Sequence, residues 1–283
     1  MLRLGTCSWK YDSWVGLVYS LSKSKNYLYE YSRKFDTVEI DQWFWSLFPP
    51  VRAVLPKHNI VEEYKKSVPD DFLFTVKVPN SITLTHFYKD KKEDELKPNP
   101  FFLSVDLFDE FLSSIAPIRK QIGCLIFQFE YLNKQKMSSL STFQLKFREF
   151  YNQLDKKIPQ IGIELRNPNY INEKYFNFLS DLDIAPVLLE GYYMPPITDV
   201  YHKFKKHINH LAVIRLHGPD RKGIEKIAND NWNKIYINRD KELSSVIEMI
   251  KELQSNEVDL FVNVNNHFEG SAPLTIKKIN NLL

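Results

Sequence analysis

Short apolar runs recur along the chain, and between them the apolar positions shift to helical spacing. Runs rich in Val, Ile, Leu and Phe predict strands at residues 3–7 (RLGTC), 37–41 (TVEID), 72–78 (FLFTVKV), 123–129 (GCLIFQF), 161–165 (IGIEL), 185–190 (APVLLE), 211–217 (LAVIRLH) and 260–265 (LFVNVN). In the intervals, Phe143, Phe147, Phe150 and Leu154 fall on one helical face, as do Val246, Met249, Ile250 and Leu253, and residues 171–182 (INEKYFNFLSDL) follow the same rule. Strands alternating with helices predict parallel βα units. About eight units in a chain of this length predict a TIM-like (β/α)8 barrel of the α/β class, one domain over residues 1–283. The rival is an open doubly wound sheet, which usually carries a Gly-rich turn after its first strand. Here that turn reads CSWKYDSWVG, with no G-x-G-x-x-G. The charged stretch 88–100 (YKDKKEDELKPNP) reads as an exposed excursion after the third strand.

Residues two apart on a strand share a face, and in a parallel barrel one face meets helices while the other fills the lumen. On TVEID, Val38 and Ile40 suit the helix layer, which turns Glu39 and Asp41 inward at the C-terminal end. By the same parity Lys77 turns inward with Leu73 and Thr75, Gln128 with Cys124 and Ile126, and Glu164 with Arg166. Arg215 and His217 share a face with Val213, and Asn263 and Asn265 share one with Phe261. Barrel enzymes place their active sites at this rim. The charges there are mixed: Glu39, Asp41, Glu164 and Glu190 against Lys77, Arg166 and Arg215. Burying an unpaired carboxylate costs several kcal/mol, so the acids of TVEID are tolerable where cations from other strands reach them. The set reads as a binding pocket; the alternative is a salt-bridge network that only closes the barrel top.

The composition is that of a packed globular chain, with 43% hydrophobic and 14% aromatic residues. A net charge of +3, from 38 basic and 35 acidic residues, argues against strong nonspecific attraction to nucleic acid or anionic membranes. The basic runs KFKKH (203–207) and RK (221–222) are short enough to be solvated helix or loop. Cys7 and Cys124 lie far apart, without zinc spacing or a disulfide framework, which fits a reducing compartment. The opening MLRLGTCSWK lacks the pattern of a signal peptide, and no apolar run approaches the roughly 20 residues of a membrane span, so a cytoplasmic protein is expected.

Each constellation carries two readings. Glu39 with Asp41 suits a general acid/base or a cation ligand, or else ion pairs to Arg166, Arg215 or Lys77. Lys77, Arg166, Arg215 and His217 suit an anion site, Arg by bidentate contact and His217 as proton carrier, or else a structural network. His58, His86, His217 and His267 could join Glu39 or Asp41 around a divalent ion, but no H-x-x-x-H or H-E-x-x-H spacing supports it, and no metal ligand is assigned. Trp9, Tyr11, Trp14, Trp43, Phe44 and Trp45 follow the first two strands and suit either a stacking wall for a planar ligand or lid packing. Cys7 has no base partner in sequence, and Gly5 suits close packing near the barrel axis.

The blocks GTCSWKYDSWVGLVY, YSRKFDTVEIDQWFW, FLFTVKVPNSITLTH, IGIELRNPNY, VIRLHGPD and VNVNNHFEGSAPLTI occur in that order and cover nearly the whole chain. Together they resemble the domain-of-unknown-function 72 family, also called YecE-like. The resemblance implies a TIM-like barrel and a set of typical positions, but no established reaction. Those positions are Gly5, Ser8, Trp9, Trp14, Gly16, Glu39, Lys77, His86, Glu164, Arg166, Arg215, His217, Gly218, Asn265, Asn266 and Gly270. The chain departs from the pattern after TVEI, where Asp41, Gln42 and Trp43 stand in place of Asn, a small polar residue and Thr.

The expected function is an enzyme of hydrolase or lyase type binding a small anionic or hydroxylated substrate at the C-terminal mouth. Glu39, Glu164 and His217 are the expected catalytic groups, with Trp9, Asp41, Lys77, His86, Gln128, Arg166, Arg215, Asn263 and Asn265 lining the substrate. No cofactor fingerprint is evident. The alternatives are a metal-dependent phosphoesterase or nuclease built on Glu39, Asp41, His86 and His217, and a noncatalytic ligand- or protein-binding barrel.

Overall fold

In the computed structural model, which describes residues 1–20, 26–89, 91 and 93–283, the predicted strands form the staves of a closed parallel barrel. They are β1 (Leu2–Cys7), β2 (Thr37–Ile40), β3 (Leu73–Lys77), β4 (Ile122–Phe129), β5 (Ile161–Leu165), β6 (Ala185–Gly191), β7 (Leu211–Gly218) and β8 (Asp259–Val264). Each pairs with the next, and β8 closes on β1 with Gly5 opposite Asn263. The expected α/β barrel is therefore the observed fold. A short antiparallel hairpin, Leu47–Phe48 with Arg52–Ala53, is the added piece in the loop after β2.

The helix layer forms where the spacing places it. Helix Leu140–Tyr151 buries Phe143, Phe147 and Phe150, and its first turn is capped by Ser139, whose hydroxyl accepts from Thr142 N. The outward ring of Phe127 on β4 meets Phe108, Phe147 and Phe150 at centroid separations of 5.4, 5.5 and 5.7 Å, mostly edge-on or tilted. Helices Glu173–Asp181 and Asp240–Ser255 bury the faces read from their sequences. Leu154 lies beyond its helix and packs on the core from a loop. Part of the charged stretch 88–100 is exposed as expected, and residues 90 and 92 lie outside the described residues.

Two kinds of filling divide the lumen. At the N-terminal end Leu73, Cys124, Ile126, Val187, Val213 and Phe261 make an apolar plug. The Phe261 ring crosses the space that a side chain at residue 123 would take: a Cβ on Gly123 would stand 2.1 Å from it. Above this plug the lumen turns polar.

Candidate functional site

Alternation along the strands turns these polar groups into the lumen, with register irregularities where β3 meets β4 and, at Glu190/Gly191, where β6 meets β7. Arg215, on β7, is the centre. Its Nε and Nη2 both donate to Glu39 at 2.7 Å, a bidentate pair across the lumen to β2. Its Nη1 donates to Glu164 on β5 and, at 3.2 Å, to Gln128 on β4. Arg166 reaches the same acceptors from above, donating from Nε to Glu164 at 2.8 Å and from Nη2 to Gln128 at 3.0 Å. Asn263 on β8 donates to Glu39 at 3.2 Å and to Thr75 at 2.9 Å. Residues from six strands thus share one network, in which Glu39 and Glu164 are wholly buried and Arg215 nearly so.

This geometry assigns roles that parity alone could not. Glu164 is held down to about 2; its burial opposes ionisation, but the Arg215 and Arg166 guanidiniums outweigh it. It stays ionised throughout the neutral range and is unsuited to general acid/base work. Glu39 likewise has its oxygens occupied by Arg215 and Asn263. Arg215 is buried, and its Nε, Nη1 and Nη2 are all directed to protein acceptors, so it ties three strands together across the lumen. Glu39, Glu164 and Arg215, expected from sequence to meet the substrate, are thus paired with one another across the lumen.

A second layer lies nearer the solvent. Arg166 keeps 23% side-chain exposure, and its Nη1 makes no hydrogen bond among the described residues. Its guanidinium packs over the Tyr192 ring at 5.1 Å. His217 sits between Cys7 Sγ, 3.6 Å from Nε2, and the Tyr192 hydroxyl, 3.2 Å from Nδ1. Burial, then Arg215, Arg166 and Lys77, push its imidazole well below the usual range, so it is neutral. The Cys7 thiol donates to the Asn263 carbonyl at 3.6 Å, leaving its sulfur to accept from Nε2–H and Nδ1 to accept from Tyr192. Burial and the Glu39 charge push that thiol well up, which favours its protonated form.

Lys77, at the end of β3, is 9% exposed, and no carboxylate oxygen among the described residues lies within 4.0 Å of its amine. The Phe44 ring lies 3.8 Å from Nζ. Burial first, then the Arg215 charge, lower it to about 8, against the pull of Glu39, Asp41 and Glu164. Asp41 is mostly buried beyond the end of β2, and burial and Glu39 push its carboxyl up.

Other expected members lie elsewhere. Trp9 packs edge-on against Tyr64 of helix His58–Ser67 at 5.1 Å, and Trp43 stacks on the same ring at 5.5 Å. Both therefore belong to the packing between barrel and helix, not to the lumen. His86 is bonded to Thr85 on the outer rim, where Lys136 and Glu130 act on it. Asn265 folds back to accept from His267 N at 2.9 Å. Glu190 points away from the lumen and accepts from Ile197 N at 2.9 Å, so it is not among the charges of the mouth. His58 faces Glu62 on an exposed helix, and His267 faces Glu225. Among the described residues no three His, Cys, Asp or Glu side chains converge as metal ligands, and the set Glu39, Asp41, His86 and His217 is not assembled.

Sequence reading missed Tyr192, which follows a seven-residue strand and carries no motif. It stands at φ 55° after Gly191, whose φ is 138°; a Cβ on Gly191 would lie 2.3 Å from the Gly218 carbonyl oxygen. That close approach of β6 and β7 brings Tyr192 to His217. Also missed are the exposed rings of Tyr88, Tyr131 and Tyr193, which with Trp45 form two pairs on the rim, Trp45 with Tyr88 at 5.8 Å and Tyr131 with Tyr193 at 6.4 Å.

The family model for a protein of unknown function, DUF72, matches residues 3–283. The chain belongs to the DUF72 family. A crystal structure of a DUF72 protein from Enterococcus faecalis V583 is 21% identical, with a TM-score of 0.68 over 100% of this chain and 96% of that one. One from Thermotoga maritima MSB8 is 20% identical, with a TM-score of 0.66 over 100% and 98%. At this identity both bear on the fold alone. No curated protein matches the sequence. No helix among the described residues of this DUF72 protein is long and apolar enough to cross a membrane.

Proposed function

We propose that this DUF72 barrel is an enzyme that binds a small anionic substrate at its C-terminal mouth and works by acid–base chemistry of the lyase type. The observation that carries the reading is the second layer. Two cations, Arg166 and Lys77, stand there with donors not satisfied by the protein, above a first layer whose own charges are paired. Burying ionised groups is expensive unless something repays it, and a salt-bridge plug needs no unpaired lysine. Arg166 offers the free Nη1 edge to a carboxylate or phosphate. Lys77, held at about 8, exchanges a proton near neutrality, beside the hydrogen-bonded Tyr192–His217 pair. Glu39, Glu164, Gln128 and Asn263 hold Arg215 and Arg166 in place from below.

The test is a melting-temperature series with inorganic phosphate, lactate and glycerol 3-phosphate. At least one should stabilise the wild-type protein, and Arg166→Gln should lose most of that shift. A wild-type protein indifferent to all three, or an unchanged shift in Arg166→Gln, overturns the assignment.

A further inference from the structure

Lys77 has more chemistry available than a counter-charge uses. An amine placed only to bind an anion gains from being protonated, and a protein ordinarily secures that state with a nearby carboxylate or carbonyl. Lys77 has neither within bonding distance among the described residues; it has the Phe44 ring at 3.8 Å, burial, and the Arg215 charge below it. Desolvation beside a second cation is the arrangement that makes a lysine amine nucleophilic. With its pKa at about 8, roughly a tenth of the side chain is free amine at neutral pH, against far less for an exposed lysine. Asp41 is the nearby carboxyl not engaged by an arginine: its charge acts on Lys77, and its own ionisation is opposed by burial and by Glu39.

Resting on the anion-binding reading above, we propose that Lys77 is the nucleophile of the site and forms an imine with the carbonyl carbon of a small anionic aldehyde, ketone or 2-oxo acid. The Lys77 lone pair attacks the carbonyl carbon, the C–N bond forms, and the carbonyl π electrons move to oxygen, which takes up a proton. Nitrogen sheds its protons, the oxygen receives a second one from Asp41 and leaves as water, and C=N closes. Amine plus carbonyl gives imine plus water, with no oxidant or reductant. Arg166 holds the anionic group while the imine, once protonated, draws electrons from the neighbouring carbon. That is the step a lyase of this kind exploits.

The full chain is incubated with pyruvate or dihydroxyacetone phosphate, treated with sodium borohydride, and read by intact mass and peptide mapping. Lactate and glycerol 3-phosphate, anions of similar size without the carbonyl, are the controls. One reduced adduct is expected, on Lys77, at roughly tenfold or more over any exposed lysine, and none with the controls. Lys77→Arg should lose the adduct, and Asp41→Asn should slow capture. If that variant fails to fold, the wild-type peptide map decides alone. An unmodified Lys77 in a protein that the control anions still stabilise overturns the imine and leaves the anion site standing. Adducts spread over surface lysines and absent from Lys77 also overturn it. No adduct and no stabilisation by any anion removes both readings.

Discussion

Replacing Arg215 with Met tests the support of the site most severely. The substitution leaves the volume nearly filled but takes away the bidentate partner of Glu39 and one of two guanidiniums on Glu164. The magnitude follows from the carboxyls. Glu164 is held at about 2 against an ordinary 4.5, a difference worth on the order of 3 kcal/mol of native stability above pH 4.5, shared between Arg215 and Arg166. Glu39 is wholly buried and loses every cationic partner it has among the described residues. Removing one member of a buried pair generally costs about 3–5 kcal/mol, because the other charge stays behind. The two routes agree, and for a chain of this size the melting temperature should fall by roughly 6–10 °C. The pH dependence carries the sign. In the wild type, Glu164 contributes stability above its unfolded value that is lost as pH falls from 4.5 toward 2. In Arg215→Met a wholly buried carboxylate is left without its cation, a cost that protonation relieves, so the loss relative to wild type should be largest at high pH. Urea unfolding at about pH 8 and about pH 5.5 should therefore show the variant regaining part of its loss on acidification. Adding Glu39→Gln to Arg215→Met should restore stability at the higher pH. A loss below about 1 kcal/mol, or a loss independent of pH, would refute the claim that this network is a buried, mutually dependent unit.

Lys77→Met should stabilise the fold by on the order of 2–3 kcal/mol near neutral pH while abolishing imine capture, since the folded state holds the amine at about 8 against an ordinary 10.5. A depressed base destabilises fully below its folded value, so the gain over wild type should shrink as pH rises from 8 toward 10.5, measured by urea unfolding. Gly218→Ala should lose about 2 kcal/mol or more by thermal melt: residue 218 has φ 76°, and a Cβ there would stand 2.6 Å from the His267 carbonyl oxygen.

Strand periodicity determined the barrel, its stave order and which side chains face the lumen, because alternation along a strand is local and each apolar run is long enough to fix its parity. Glu39, Lys77, Gln128, Glu164, Arg166, Arg215, His217 and Asn263 were legible as one group for that reason. Their division into support and reactive layer was not. It depends on which guanidinium reaches which carboxylate across the lumen and how deep each sits, and those distances join residues as far apart as Glu39 and Arg215. Local pattern also fails past the strand ends. Asn265 and Trp9 stand beyond their strands, where parity no longer governs, and are engaged there by a loop hydrogen bond and by ring packing, whereas Glu190 lies within β6 with the outward parity opposite to Val187. The same loops brought in Tyr192, through two glycines whose close approach only the closed barrel imposes. A sequence specifies the faces of its elements; the protonation and reach of each side chain are settled by burial and by neighbours that only the folded chain supplies.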